Sequence, residues 1–256
     1  MQGKLIPFST HGPLGCNEDM TGKLPPQFVP AAEAQQDSWD EEASVGLSGL
    51  PVHDFLPLPR ARTSSACHRR IVLIRHGEPH IDLRPRTGHR DFRAYIDAYD
   101  KAHLNPQSAP PPELCTMLSR LEGVDRVFTS DRPRARESGA RLLPQARLCE
   151  EALFGEAPLG APPVPLLRMR VPKWAILSRG LWYLGFHPGI ESPEAARQRA
   201  RRAAAELVAH ADARGAAVLV GHGYFNFMIG RVLASAGYQR SGSHRARFWN
   251  VVVYEA

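Results

Sequence analysis

The stretch Ile71-Val72-Leu73-Ile74-Arg75-His76-Gly77 decides the fold class of this chain. Its first four residues are apolar and three of them are β-branched, which predicts a strand covered on both faces, as in a parallel sheet between helices. Arg75, His76 and Gly77 follow at the end of that strand. Because open α/β sheets bind ligands beyond the carboxyl ends of their strands, the stretch predicts a ligand site around these three residues.

The residue types at this strand end favour an anionic ligand, and phosphate in particular. Arginine offers a fixed fork of donors that matches phosphate oxygens, and histidine titrates near neutrality and can act as a nucleophile. Gly77 is interpreted as the residue that lets the backbone approach an anion closely. We expect one ring nitrogen of His76 to donate to a backbone carbonyl, which leaves the other nitrogen unprotonated.

Two later segments repeat this pattern. Residues 218–223 read Val-Leu-Val-Gly-His-Gly, a second buried strand that ends in His222 between two glycines, of which Gly223 is a further candidate anion contact. Residues 126–138 predict a strand followed by a helix, with Arg134 in the first helical turn, where free backbone N–H groups favour anions. If the two strands are neighbours, His76, His222, Arg75 and Arg134 share one crevice.

Strand and helix patterns alternate along the second part of the chain, which predicts an α/β three-layer sandwich with a central mixed, mainly parallel sheet. The expected strands cover residues 71–74, 126–129, 216–220 and 248–254, and the expected helices cover residues 91–102, 113–121, 132–143, 193–211 and 225–234. Residues 67–256 form the predicted catalytic domain. Residues 161–192 are interpreted as a cap insertion: a packed cap is favoured, and an interfacial membrane contact or an apolar substrate wall stays open.

Residues 1–66 mix Pro, Gly, Ser, Gln and acidic residues without helical or strand periodicity, which predicts a disordered or loosely attached extension. Another interpretation is that translation starts downstream. Charge is divided unevenly: residues 1–58 carry two lysines against eight acids, a balance of −6, whereas the remainder carries 30 bases against 18 acids, a balance of +12. A basic second part suits an anionic substrate, and we interpret most of its arginines as a solvated face rather than a nucleic-acid surface.

The composition also limits the cellular setting. The four cysteines are far apart and form no Cys-x-x-Cys pair, which argues against a zinc ribbon or a redox motif. No run of about 20 apolar residues and no secretory signal pattern is present. We therefore expect a cytoplasmic protein without cofactor or metal, whose partner is a small phosphorylated substrate; no nucleic acid and no integral membrane segment are expected, and a homo-oligomer stays open.

Together these segments resemble the histidine phosphatase superfamily, the phosphoglycerate-mutase-like clan. Its Arg-His-Gly signature matches Arg75, His76 and Gly77, its Ser-Asp-x-x-Arg-Ala pattern matches residues 130–135, and its late Gly-His matches residues 221 and 222. The resemblance implies a metal-independent phosphoric monoester hydrolase, similar to the histidine acid phosphatases, that passes the phosphoryl group through a phosphohistidine. It implies His76 as nucleophile and Arg75, Arg134 and His222 as the phosphate pocket, with His222 as an imidazolium.

The resemblance also implies a glutamate that protonates the leaving group and then activates water. Two positions lie four residues before a glycine, Glu156 and Glu151; Glu156 is preferred because residues 153–159 resemble the corresponding segment of some bacterial members. After Glu78 this chain has Pro79-His80 where mutases have a small hydroxyl residue, which argues against mutase activity. A phosphoglycerate mutase-type phosphotransferase and a non-catalytic module that binds a phosphorylated ligand stay as alternatives.

Overall fold

The structure, a computed structural model, describes residues 69–256, and the expected N-terminal extension therefore lies outside the described residues. Its strands are β1 Arg70–Arg75, β2 Arg86–Thr87, β3 Arg126–Thr129, β4 Arg147–Glu150, β5 Met169–Arg170, β6 Ala216–Gly221, β7 Gln239–Ser241 and β8 Val251–Glu255. Its α-helices are α1 His89–Lys101, α2 Pro112–Ser119, α3 Pro133–Leu142, α4 Val171–Tyr183, α5 Pro193–Arg214 and α6 Gly223–Ser235.

Six of these strands form one central sheet in the order β4-β3-β6-β1-β8-β7. β4, β3, β6 and β1 are mutually parallel, whereas β8 and β7 are antiparallel to their neighbours. β2 and β5 form a separate two-stranded ribbon. The mixed, mainly parallel sheet predicted from the sequence is thus confirmed.

Alternate residues of β1 pack into different hydrophobic layers, because successive side chains of a strand point to opposite faces. Ile71 and Leu73 belong to a core with apolar side chains of α5 and α6. Val72 and Ile74 belong to a second core with side chains of α2 and α3. The sheet is therefore the middle layer of three, which explains why this strand is apolar without interruption.

The register of β1 and β6 determines where the functional residues meet. The two strands pair in parallel from Arg70 opposite Ala216 to Arg75 opposite Gly221. The residues that follow each strand, His76 and His222, therefore leave the sheet side by side at the same edge. β3 lies on the other side of β6 and leads into α3 at that edge.

The last strand begins later than the sequence predicts. Residues 248–254 were expected to be extended, but β8 covers Val251–Glu255. Trp249 has a positive φ of 59°, a conformation that L-residues rarely adopt and that breaks the extended run. The short strands β4 and β7, which lie at the edges of the sheet, and the ribbon of β2 and β5 were not predicted.

The helix predicted over residues 193–211 is present and extends to Arg214. The Ser192 side chain accepts a hydrogen bond from the backbone N–H of Ala195, and Gly215 ends the helix with a φ of 87°. In the expected cap insertion, α4 begins at Val171, earlier than the apolar run alone indicated. No helix within residues 69–256 combines the length and apolar character needed to cross a bilayer.

Candidate active site

The two strand-end histidines meet at the carboxyl edge of the sheet. The ring centroids of His76 and His222 lie 5.1 Å apart with an interplanar angle of 65°. Each residue is only 1% exposed. The backbone N–H of His76 donates to the carbonyl of Gly221 at 2.9 Å, which holds the ends of β1 and β6 together. The crevice expected from the strand pattern is thus formed by neighbouring strands.

The protonation of the His76 ring follows from its contacts. Its Nδ1 lies 2.7 Å from the carbonyl oxygen of Gly77. Because a carbonyl oxygen only accepts, Nδ1 must carry the hydrogen. The Nε2 atom accepts a hydrogen bond from Nε of Arg134 at 3.2 Å. The expected donation to a backbone carbonyl is confirmed, and it leaves an unprotonated nitrogen that faces a guanidinium group.

Arg134 is buried at the start of α3 and is held from several directions. Its Nη1 donates to the carbonyls of Tyr99 and Asp100 at 2.6 Å and 3.2 Å. Its Cζ lies 4.4 Å from the centroid of the Tyr99 ring, which adds a cation–π contact. Burial lowers the pKa of this guanidinium, whereas Tyr99, Asp100 and Glu156 raise it. The arginine is therefore fixed in place while its Nε points at His76.

His222 is oriented by Arg134 and by Ser130, the residue that follows β3. Nη2 of Arg134 lies 3.5 Å from Nδ1 of His222, and Nε2 lies 2.7 Å from Oγ of Ser130. A guanidinium only donates, so Nδ1 is the acceptor and Nε2 donates to the serine. Ser130 was not singled out from the sequence as a functional residue. The sequence signal that could have identified Ser130 is its position as a hydroxyl residue directly after a buried strand.

Arg75 has hydrogen-bonding capacity that the protein does not use. Within residues 69–256, its Nε and Nη1 atoms are buried and have no hydrogen-bond partner. Its Cζ lies 4.6 Å from the centroid of the Phe248 ring, and that ring also lies 5.8 Å from the ring of His76. Gly223 provides space for this arginine, since a Cβ there would lie 3.3 Å from Cδ of Arg75. Buried donors without partners suit a bound anion.

Phe248 was missed because its aromatic side chain fits the pattern of the strand expected over residues 248–254. The structure instead places it in the segment before β8, beside both Arg75 and His76. Only the tertiary arrangement brings this segment to the end of β1.

Gly77 packs tightly against other segments of the protein. Its N–H donates to Oγ of Ser138 at 2.9 Å, so this donor is already engaged. A Cβ at position 77 would lie 2.3 Å from Cζ2 of Trp249 and 2.7 Å from Cδ1 of Leu104. The glycine is required because the indole ring packs against the backbone there.

The carboxylate of Glu156 lies against the first turn of α6, the helix that follows His222. Its Oε1 accepts from the backbone N–H groups of Ala157 and Phe225, both at 2.9 Å, and its Oε2 accepts from that of Tyr224 at 3.3 Å. The other candidate, Glu151, is exposed. Of the two carboxylates, Glu156 is the one that raises the pKa of the Arg134 guanidinium.

Both histidines are neutral at neutral pH in the unliganded protein. Burial holds the pKa of His76 well below its ordinary value, and the charges of Arg134 and Arg75 lower it further. Burial likewise lowers the pKa of His222, assisted by His76 and Arg134. These shifts disfavour the imidazolium form that was expected at His222. A phosphate dianion in the crevice would favour the protonated form of this ring.

These shifts predict a loss of stability in mild acid. Below a pH of about 6.5, the unfolded chain binds protons on His76 and His222 that the folded chain does not, so the free energy of unfolding falls as the pH falls. Each histidine contributes at most about 1.4 kcal/mol per pH unit in that window. Thermal unfolding at about pH 7.5 and about pH 5.5 would measure the effect, and we expect a smaller difference in a His222→Asn variant. If the variant showed the same difference as the wild-type protein, this result would contradict the assignment of a lowered pKa to His222.

The solved structures that this chain resembles share low identity with it. The open reading frame Rv3214 of Mycobacterium tuberculosis is 19% identical, with a TM-score of 0.47 over 72% of this chain and 90% of that chain. The mycobacterial glucosyl-3-phosphoglycerate phosphatase Rv2419c is 17% identical, with a TM-score of 0.49 over 73% and 90% of the two chains. The protein TTHB049 from Thermus thermophilus is 21% identical, with a TM-score of 0.41 over 72% of this chain and 92% of that chain.

No curated protein is significantly similar to this chain in sequence. The family model of the histidine phosphatase superfamily, branch 1, matches residues 71–253. This match begins in the first buried strand, ends in the last one and includes His76, His222 and Arg134. The chain belongs to the histidine phosphatase superfamily.

Proposed function

We propose that this protein is a phosphomonoester hydrolase that forms a phosphohistidine on His76. The observation that carries the proposal is the unprotonated Nε2 atom of His76, which is buried beside the guanidinium group of Arg134. Membership of the histidine phosphatase superfamily supports the reaction class. The unpaired donors of Arg75 supply a second positive contact for a phosphoryl group.

In the first step, the phosphate group of the substrate binds between Arg75 and Arg134, whose charges offset that of the equatorial oxygens. The lone pair of Nε2 on His76 attacks phosphorus, and an N–P bond forms while the bond to the alcohol oxygen breaks. The Nδ1–H group continues to donate to the carbonyl of Gly77. Glu156, in its protonated form, transfers its proton to the departing oxygen.

The second step returns the enzyme to its starting state. A water molecule attacks phosphorus, and the carboxylate of Glu156 accepts one of its protons. The N–P bond breaks, the electron pair returns to Nε2 of His76, and inorganic phosphate leaves. His222 takes part through its position beside the nucleophile, where its ring can donate to a phosphoryl oxygen once it is protonated.

A chromogenic aryl phosphate tests the proposed reaction. We expect the purified full chain to release inorganic phosphate from p-nitrophenyl phosphate, since the site needs no particular alcohol for the transfer itself. Absence of turnover together with tight binding of inorganic phosphate would contradict hydrolysis and support the non-catalytic binding alternative. Exchange between phosphoglycerate isomers without net phosphate release would instead support the mutase alternative.

The choice of acid can be tested with two matched variants. We expect Glu156→Gln to lower kcat by about 10²- to 10⁴-fold for a substrate with a poor leaving group, because an amide cannot transfer the proton. Glu151→Gln should change kcat less than about twofold, because this side chain is exposed. An aryl phosphate with a very acidic phenol should lose less activity in the Glu156 variant, since its leaving group needs no proton. The reverse ranking of the two variants would assign the acid to Glu151.

A further inference from the structure

The exposed apolar side chains of this protein are concentrated in one segment. Within residues 69–256, the large apolar side chains that are exposed are Leu166, Leu167, Ile176 and Leu184, and Leu166 is fully exposed. All of them lie in the expected cap insertion: Leu166 and Leu167 precede β5, Ile176 lies in α4, and Leu184 directly follows that helix. Soluble proteins normally scatter such side chains singly, so this concentration indicates a contact surface.

The two faces of α4 differ in their surroundings. Trp174 and Trp182 are buried, and their indole N–H groups donate to the carbonyls of Thr87 and Glu191 at 2.9 Å and 2.7 Å. The contact with Thr87 attaches the helix to the rest of the domain, whereas Glu191 lies in the segment that follows the helix. The other face of α4 is exposed. Its residues, which are spaced three or four apart, are Lys173, Ile176, Gly180 and, directly after the helix, Leu184. Packing within the domain therefore does not explain the apolar residues of the outer face.

The charge of this segment is entirely of one sign. Between Glu156 and Glu191 the sequence contains no aspartate or glutamate, whereas Arg168, Arg170 and Lys173 are exposed. Exposed leucines beside basic residues, without acidic ones, are typical of segments that lie in the interface of an anionic bilayer. The apolar side chains enter the boundary of the acyl chains, and the bases contact the headgroups.

The same charges argue against a second copy of the chain as the occupant. A symmetric dimer would place this surface against itself, because a twofold interface uses the same patch on both subunits. The bases would then face like charges, and the segment offers no carboxylate to pair with them. Nucleic acid would suit the bases but would leave Leu166 and Leu184 unexplained.

We propose that this cap surface, formed by Leu166, Leu167, Arg168, Lys173, Ile176 and Leu184, binds the surface of an anionic lipid bilayer. The protein then lies on the membrane without spanning it. This inference is independent of the proposed hydrolysis, since it rests on residues outside the crevice of His76 and is read out by binding.

Co-sedimentation of the full chain with vesicles tests the proposal. We expect binding to vesicles of phosphatidylcholine that contain about 30 mol % phosphatidylserine, and much weaker binding to phosphatidylcholine alone. Removing two charges in Arg168→Gln/Lys173→Gln should lower the partition coefficient by about 25-fold, or about fivefold for each charge. Leu166→Ser/Leu184→Ser should lower it by at least about tenfold, because less apolar area enters the bilayer.

A control variant with the same net charge separates a specific surface from general attraction. Arg120 and Arg202 are exposed elsewhere on the domain, and Arg120→Gln/Arg202→Gln should change binding less than about twofold. Circular dichroism of each variant checks that it is folded. Failure of the wild-type chain to bind anionic vesicles would overturn the proposal. A wild-type dimer that the leucine variant dissociates would overturn it in favour of self-association.

Discussion

Replacing His76 with asparagine should lower kcat for an aryl phosphate by about 10⁴-fold or more, the loss expected when a nucleophile is removed. The amide group retains a donor for the Gly77 carbonyl but has no lone pair that can attack phosphorus. Because arginines would still surround the anion, binding of inorganic phosphate should change much less than kcat. The contrast between lost turnover and retained binding is specific to a nucleophile.

A direct measurement of the intermediate accompanies this prediction. Rapid quenching of the wild-type protein with ³²P-labelled substrate in alkali should trap a label that is stable in base and released by mild acid, as expected for phosphohistidine. The label should be absent from His76→Asn and present in His80→Asn, whose ring is exposed and serves as the matched control. Turnover by His76→Asn at the wild-type rate would refute the mechanism.

The layer structure of this fold is predictable from the sequence because the central strands have no polar face. β1 and β6 are buried on both sides, and this condition produces uninterrupted apolar runs that are recognisable in the sequence. β7 is exposed at all three of its residues and carries no such pattern. Edge strands of this kind are formed by pairing with a neighbour, and a single sequence does not reveal that pairing.

The site was predictable only to the extent that strand ends determine it. His76 and His222 follow buried parallel strands, so the topology alone brings them to one edge. The contacts that set their chemistry come from other segments: the carbonyls of Tyr99 and Asp100 hold Arg134, and Phe248 lies against Arg75. These are contacts between residues far apart in sequence, which periodicity and spacing do not encode.

Gly77 shows what a local pattern leaves out. A glycine after the histidine suggested a backbone approaching an anion, but its N–H is bonded to Ser138 and its missing Cβ leaves room for Trp249. The indole comes from the segment just before β8, where the backbone of Trp249 adopts a positive φ. The local pattern identifies the glycine, whereas only the packing identifies what it accommodates.

Replacing Arg134 with lysine should lower kcat/KM by about 10²- to 10³-fold, the range typical for loss of a donor that stabilises a transition state. The charge is retained, but an ammonium group is a single point and cannot reproduce the fork. In the wild-type protein one guanidinium reaches Nε2 of His76, the carbonyl of Tyr99 and Nδ1 of His222 at once. A lysine would satisfy one of these contacts at the expense of the others.

The same substitution should also lower the free energy of unfolding by about 1–3 kcal/mol, because buried carbonyls that now accept from Nη1 would lose their donor. Activity must therefore be compared well below the unfolding temperature of the variant, where the folded fraction is complete. Arg136→Lys is the matched control: it lies on the same helix, its side chain is 41% exposed, and it pairs with Glu150 at the surface. We expect that variant to keep its activity and to lose less than about 0.5 kcal/mol. If Arg134→Lys retained kcat/KM within about threefold while fully folded, the fork geometry would not be what stabilises phosphoryl transfer, and a point charge beside His76 would suffice.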